Sequence, residues 1–392
     1  MEMMSKKKTK TSIKYLPLEI WTLILARMPG KTLLRFRSVC KPWCSIIDDP
    51  DFVYLHLPLS NMNNNTKNKL FVAFDIARWT CRKGNLMTIR RADNLKKTGH
   101  NLMSSSGTDD FPKSVNGLSC NGLILMWQII DNKKKLRLWN PSIRKTLLIP
   151  PCPIPSHLHN KTEFVFGFAP STKEHKILAI TFDENPNTQP KDMFFAVYTL
   201  SDQRWSVRNN GFNVERSCFE HIFWSISRRS DTIFCQGAVH SMAYNLYGDN
   251  KKYLVSLDFD SEKFTFLELP DSSDDKSYTR MFLFILGESL AVLSISQKYT
   301  RIWVLEHDDG GNKVWWSLWF SGGSTRDGHD LFMRANPYSR VFYYDSSDYG
   351  GCLIIGKNCY CIASGQVKER GKSMRSDIRL ETYLESLVLL HK

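Results

Sequence analysis

Residues 15–57 constrain this chain more than any other stretch, because they carry more apolar side chains than so short a segment can bury by itself. Leu16-Pro17 opens a helix, since proline in a first turn gives up an N–H that has no intrahelical partner there. Ile20, Leu23, Ile24 and Arg27 follow at helical spacing, and Pro29-Gly30 stops the run. A second short helix over 31–37 carries Leu33, Leu34 and Phe36. A third places Val39, Trp43, Ile46 and Ile47 at i, i+4, i+7 and i+8, and ends at Asp48-Asp49-Pro50. The apolar surplus of three such helices predicts a face covered by another protein.

The order L-P-x-E-I, I-L-A-R-M-P, K-T-L-L-R-F-R-S-V-C-K-P-W and D-P-D-F resembles the F-box. Cys44 departs from it, standing where the family usually has arginine or another polar residue. The resemblance implies docking onto the SKP-type adaptor of a cullin–RING ubiquitin ligase. Carried over by position, Leu16, Pro17, Ile20, Ile24, Leu34, Val39 and Trp43 form or support that surface.

The rest of the 392 residues suffices for a large second body, and 42% hydrophobic with 12% aromatic residues predicts a packed core. The net charge of +14 points toward acidic partners, and the excess is uneven. Part lies in Lys6, Lys7, Lys8 and Lys10 of a basic tail at 1–14, part between Lys67 and Lys97. No secretory leader precedes the ten cysteines, which predicts reduced thiols in the nucleus and/or cytoplasm. The most apolar run, Met281 to Ile295, is broken by Gly287-Glu288 and too short to span a bilayer, so no membrane is expected.

Residues 58–110 read as a linker with first strands: a polar stretch at 59–69, strands over 70–76 and 86–91, and a loop over 95–112. From Val115 onward, segments rich in Val, Ile, Phe, Tyr and Trp alternate with turn residues. Glu163–Ala169, His175–Phe182, Met193–Leu200 and Arg204–Arg208 make one four-stranded meander. Similar units fit 115–150, 218–269, 281–320 and 330–365, with related third-to-fourth turns at Asn140, Ser201, Asp260 and Glu306. The expected fold is therefore α+β multidomain: a small all-α three-helix module, then an all-β propeller-like body over 111–392. About six blades are counted, and the strands at 70–91 close the ring with the last ones. A two-sheet sandwich is the competing architecture. Residues 381–392 fit either a helix packed back on the body or a final strand.

This body resembles the plant F-box-associated domain, often described as kelch-like. The resemblance is carried by Gly117–Leu123, Leu138–Lys145, Phe166–Pro170, Gln236–Ala243 and the ending Tyr383-Leu-Glu-Ser-Leu. It implies a substrate-recognition subunit of an SCF-type ligase, reaching cullin and RING subunits through the adaptor and capturing a target protein. Chemistry then happens elsewhere, and neither a catalytic residue nor a cofactor is expected.

Other constellations read as structural. Cys152, His157 and His159 lack a fourth ligand for zinc. Cys359 and Cys361 share a strand face and lack redox spacing. Asp258, Asp260 and Glu262 suit a hairpin better than a calcium loop. Trp139, Trp205, Trp303, Trp315, Trp316 and Trp319 read as core, with Trp79 and Trp127 weaker core candidates. No nucleophile elbow and no phosphate cradle are present. Arg326, His329 and Arg334 stand at loop edges where a target could touch, without an assigned role. The basic stretch 78–97 leaves one alternative, a nucleic-acid-binding propeller outside any ligase, whose helices serve dimerisation. An oxidase-like or glycan-binding propeller would need ligands that the sequence lacks.

Overall fold

The computed structural model describes residues 16–62, 70–75, 86–91, 97–103, 116–130, 133–154, 162–182, 193–208, 232–244, 251–270, 280–296, 299–308, 313–323, 341–346, 350–355, 358–361, 367–369, 378–384 and 386–388. The helices are α1 (Leu18–Leu25), α2 (Gly30–Phe36), α3 (Lys41–Asp48) and α4 (Pro50–Met62). The fourth corrects the three-helix expectation and replaces the start of the expected loop at 59–69. Its cause is local. The Asp51 amide donates to Asp49 Oδ1 at 2.7 Å, so Asp49 caps a helix whose first residue is Pro50.

Inside the module, Leu25, Ala26, Leu33, Ile46, Ile47, Phe52, Val53 and Leu57 are buried. His56, also buried, donates from Nε2 to the Met28 carbonyl at 2.9 Å and ties α4 to the end of α1.

Among the described residues, twenty-four strands form six four-stranded antiparallel sheets. The second blade is β4 (Asn116–Cys120), β5 (Leu123–Ile130), β6 (Lys133–Asn140) and β7 (Lys145–Leu148). The third is β8 (Glu163–Ala169), β9 (Glu174–Phe182), β10 (Met193–Thr199) and β11 (Arg204–Val207). The fourth is β12 (Ile233–Cys235), β13 (Ala238–Tyr244), β14 (Lys252–Asp258) and β15 (Phe264–Glu268). The fifth is β16 (Arg280–Leu286), β17 (Ser289–Ile295), β18 (Tyr299–His307) and β19 (Val314–Gly323). The sixth is β20 (Val341–Ser346), β21 (Gly350–Ile355), β22 (Asn358–Cys361) and β23 (Val367–Glu369).

The first blade is assembled from both ends of the body. Here β1 (Leu70–Asp75) pairs with β2 (Leu86–Arg91) and, on its other side, with β24 (Ile378–Tyr383), from Leu70↔Tyr383 to Asp75↔Ile378. A third strand, β3 (Lys97–Met103), pairs with β2 and occupies part of the expected loop at 95–112. Neighbouring blades meet mostly through inner strands, β24 to β4, β4 to β8, β12 to β16 and β16 to β20, while the third blade meets the fourth through β8 and β13. Among the described residues the sheets number six, and the body is propeller-like, as its meander repeat predicted.

Turn chemistry explains the repeat. Asn121-Gly122 between β4 and β5, and Gln236-Gly237 between β12 and β13, have positive φ at both residues, the two-residue hairpin turn that matches strand twist. The third-to-fourth turns end on Arg144, Gln203 and Glu262, each at φ near +54°. Between blades, Val165, Leu178 and Ile180 pack with Val239, Val255 and Leu257, and Leu283, Leu290 and Val292 with Leu254 and Leu269.

Candidate functional site

The helical module has one wet apolar face and one dry one. On the dry side, its buried residues belong to the same apolar cluster as Leu118, Leu125, Trp127, Leu136 and Phe164 of the second and third blades. Tyr54 on α4 lies against Phe168, ring centroids 5.8 Å apart, and Lys173 Nζ reaches Asp51 Oδ1 at 3.0 Å. Burial, then the nearby Glu174 carboxylate, raises the Tyr54 hydroxyl pKa above its usual value.

On the wet side, Leu16 (46% exposed), Leu18, Ile20, Leu23 and Val39 (61% exposed) stand in solvent. The sequence-derived set divides accordingly. Leu16, Pro17, Ile20 and Val39 are exposed, whereas Ile24, Leu34 and Trp43 are half-buried and support them. Trp43 packs between Trp21 at 5.0 Å and Phe36 at 5.1 Å, an aromatic trio that links α1, α2 and α3. Leu18 and Leu23 extend the exposed set and were absent from the expected one. Leu23 had a signal, standing three residues after Ile20 on the expected face, whereas Leu18 had none, since it lies seven residues before the buried Leu25 and so on the same helical stripe. Cys44 does no harm at its divergent position. Its thiol sits 3.4 Å from Asp48 Oδ2, beside the paired Arg37 guanidinium and Asp48 carboxylate. Hydrogen bonding to Asp48 raises the Arg37 pKa.

The remaining candidates separate clearly. Cys152 is buried, and desolvation pushes its thiol up to about 12, the opposite of a metal-binding thiolate. His157 and His159 lie outside the described residues, as do Trp79, Arg326, His329, Arg334 and residues 1–15. The Asp258–Glu262 turn is a hairpin: Asp258 Oδ1 accepts from the Ser261 amide at 2.7 Å, and Glu262 accepts from Lys176 and Arg208 of the third blade.

The tryptophan expectation needs two corrections. Trp127, a weak core candidate, is almost wholly buried between the module and the third blade. Trp315 and Trp319, expected in the core, are 43% and 50% exposed, because β19 is the outer strand of its blade and, among the described residues, no sheet pairs beyond it. Trp139 is buried, while Trp205 and Trp316 are partly buried and donate their indole N–H to the carbonyls of Pro150 and Glu268.

A small helical clasp with an open apolar face, fused to a rigid propeller, defines a class of protein that holds one partner at its helices and presents a platform to another. Residues 13–55 match the F-box domain, and residues 83–390 match the F-box associated beta propeller domain. The chain belongs to that family of F-box proteins.

Relatives from Arabidopsis thaliana agree. One described as an F-box/kelch-repeat protein is 26% identical over 331 residues, covering 79% of this chain and 73% of its own. One described as an F-box protein is 27% identical over 370 residues, covering 86% and 85%. Among solved structures, TolB from Acinetobacter baumannii aligns over 85% of this chain and 73% of its own at TM-score 0.39 and 11% identity, too loose a likeness for inference. The F-box indicates an SKP-type adaptor as partner, and the pairing of F-box with this propeller supports a substrate-recognition role in SCF complexes generally.

Proposed function

We propose that this chain is the target-binding subunit of an SCF-type cullin–RING ubiquitin ligase. Its α1–α3 face docks on the SKP-type adaptor, cullin and RING subunits follow through that adaptor, and the propeller captures a protein for ubiquitination. The carrying observation is that Leu16, Leu18, Ile20, Leu23 and Val39 are all exposed on a module whose buried residues join the apolar cluster of the propeller. A monomer gains nothing by leaving so many large apolar groups of one small module in water, whereas a partner surface does. The chain then acts by proximity, raising the local concentration of target at a thioester carried by another protein.

The test is co-purification of the full-length chain with a co-expressed SKP-type adaptor. Leu16→Asp combined with Ile20→Asp and Val39→Asp alters only exposed positions, so the melting temperature should stay within a few degrees of wild type. Adaptor capture should fall at least a hundredfold, since three charges are desolvated without partners in the complex. Undiminished capture by a folded triple variant refutes the assignment.

A further inference from the structure

The outer strands of the six blades are β3, β7, β11, β15, β19 and β23. Five of them have three to seven residues and carry at least one charge: Lys97, Lys145, Arg204, Glu268, and Lys368 with Glu369. Short, charged edges are how sheets avoid pairing with other chains. The exception is β19, Val-Trp-Trp-Ser-Leu-Trp-Phe-Ser-Gly-Gly, ten residues with neither charge nor proline. Its side chains Trp315, Leu318 (48% exposed) and Trp319 stand in solvent.

A β-bulge helps to produce this display. The register of β18 with β19 shifts between Ile302 and Trp303, and Trp319 is the extra residue. Trp316 packs inward with the fourth-blade cluster. On the opposite face Glu306 and Trp315 are direct cross-strand partners. Beside them an open cleft of about 520 Å³ is lined by Leu286, Val304, Glu306, Ser317, Leu318 and Trp319.

We infer that β19 is a second docking edge, at which an extended segment of a target protein adds as a strand and places a lysine or arginine side chain in the cleft. The backbone edge supplies main-chain hydrogen bonds and the cleft supplies selectivity. Val304, Leu318 and Trp319 line the aliphatic stem, an indole face attracts the cation, and Glu306 neutralises it. Glu306 is exposed, and the neighbouring turn adds Glu288, also exposed. Charge also argues against a second copy of this chain as occupant: its own β19 offers no cation, and self-pairing would bring two acidic clefts together.

This deepens the receptor reading and rests on it. The probe is a peptide array in which every amino acid is stepped through each position of a β-forming decapeptide, overlaid with the full-length protein. Lysine and arginine should be enriched at least fivefold at one position, and alternate N-methylation of the same peptides should abolish binding. In Glu306→Lys the enriched residues should become aspartate and glutamate. Trp319→Ser should reduce retention at least tenfold. A flat profile, or one that Glu306→Lys leaves unchanged, overturns the inference. So does concentration-dependent dimerisation that Leu318→Lys abolishes, since a second copy would then cover the edge. Adaptor capture by Glu306→Lys should equal wild type, which separates failure of this edge from failure of the receptor role.

Discussion

Single residues show how burial sets chemistry in this chain. His240 lies between the fourth and fifth blades, with Nδ1 2.8 Å from Ser256 Oγ and Nε2 3.2 Å from the Cys235 carbonyl. A carbonyl only accepts, so Nε2 carries the proton and Nδ1 accepts from the Ser256 hydroxyl. Desolvation, with a smaller contribution from His307, pushes its pKa down to about 4. In the unfolded chain the ring titrates near 6.5, so below that pH the unfolded state binds the extra proton. The stability this neutral ring contributes is complete above pH 6.5 and is lost as pH falls toward 4. Between pH 7.5 and 5.0 the loss should be about 2 kcal/mol, read as a lower urea midpoint, and His240→Asn should remove most of that pH difference.

Cysteines follow the same logic. Burial pushes Cys152 up to about 12 and Cys235 up to about 11, while Cys40 is exposed. Iodoacetamide at pH 8 should modify Cys40 in the native chain but reach Cys120, Cys152 and Cys235 only after denaturation, as mass spectrometry of digested protein would show. Early labelling of Cys152 would contradict its placement.

Elements were legible wherever one local pattern decided them. The β8–β11 meander needed only alternation and turn residues, and its strands fall within a residue of the expected bounds. Asp49-Pro50 illustrates the limit: the same pair that stops α3 caps and starts α4, and a stop signal hides a start signal. The exposed apolar residues of the helical module were legible in part, Leu16, Ile20 and Val39 among them, because they lie close together in sequence. Trp315 and Trp319 were not readable, since exposure of a strand residue depends on whether another sheet lies beyond it.

Ties between elements were equally hidden. Glu262 closes the β14–β15 turn yet accepts from Lys176 at 3.0 Å and from Arg208 at 2.9 Å, across two blades. Burial alone would raise its carboxyl pKa, but hydrogen bonds from Arg208 and Lys176 hold it below the usual range. Because Arg208 is largely exposed, the tie is worth less than a buried one. Glu262→Gln should lower stability by about 1–2 kcal/mol, measured by urea unfolding at pH 7, and the deficit should shrink as pH falls through the lowered carboxyl pKa and the wild-type group takes up its proton.

The whole molecule is held by its last residues. Charge is uneven along the sequence: residues 70–150 carry fourteen basic against five acidic side chains, while 151–392 carry twenty-seven against twenty-nine. The closing joint continues past β24. Asn140 Nδ2 donates to the Ser386 and Val388 carbonyls at 2.8 and 2.7 Å, and the Ser386 amide donates to Ser142 Oγ. A Cβ on Gly122 would come within 2.5 Å of Ser386, so glycine is needed there for closeness as well as for its φ of +77°. Leu387 is fully buried in the cluster that also holds the helical module. Asn140→Ala leaves two buried carbonyls unsatisfied and should cost about 2–4 kcal/mol by thermal melting. Deleting 378–392 is the sharper experiment. In an open row of blades it would remove one strand and leave the distant amides protected. In a closed ring it removes the inner strand of the first blade and a wall of the module's core. Hydrogen exchange should therefore rise at 70–75 and 86–91 and in α4 together, and a synthetic 376–392 peptide added back should restore protection at both. Exchange confined to the first blade would mean that the module does not depend on the joint.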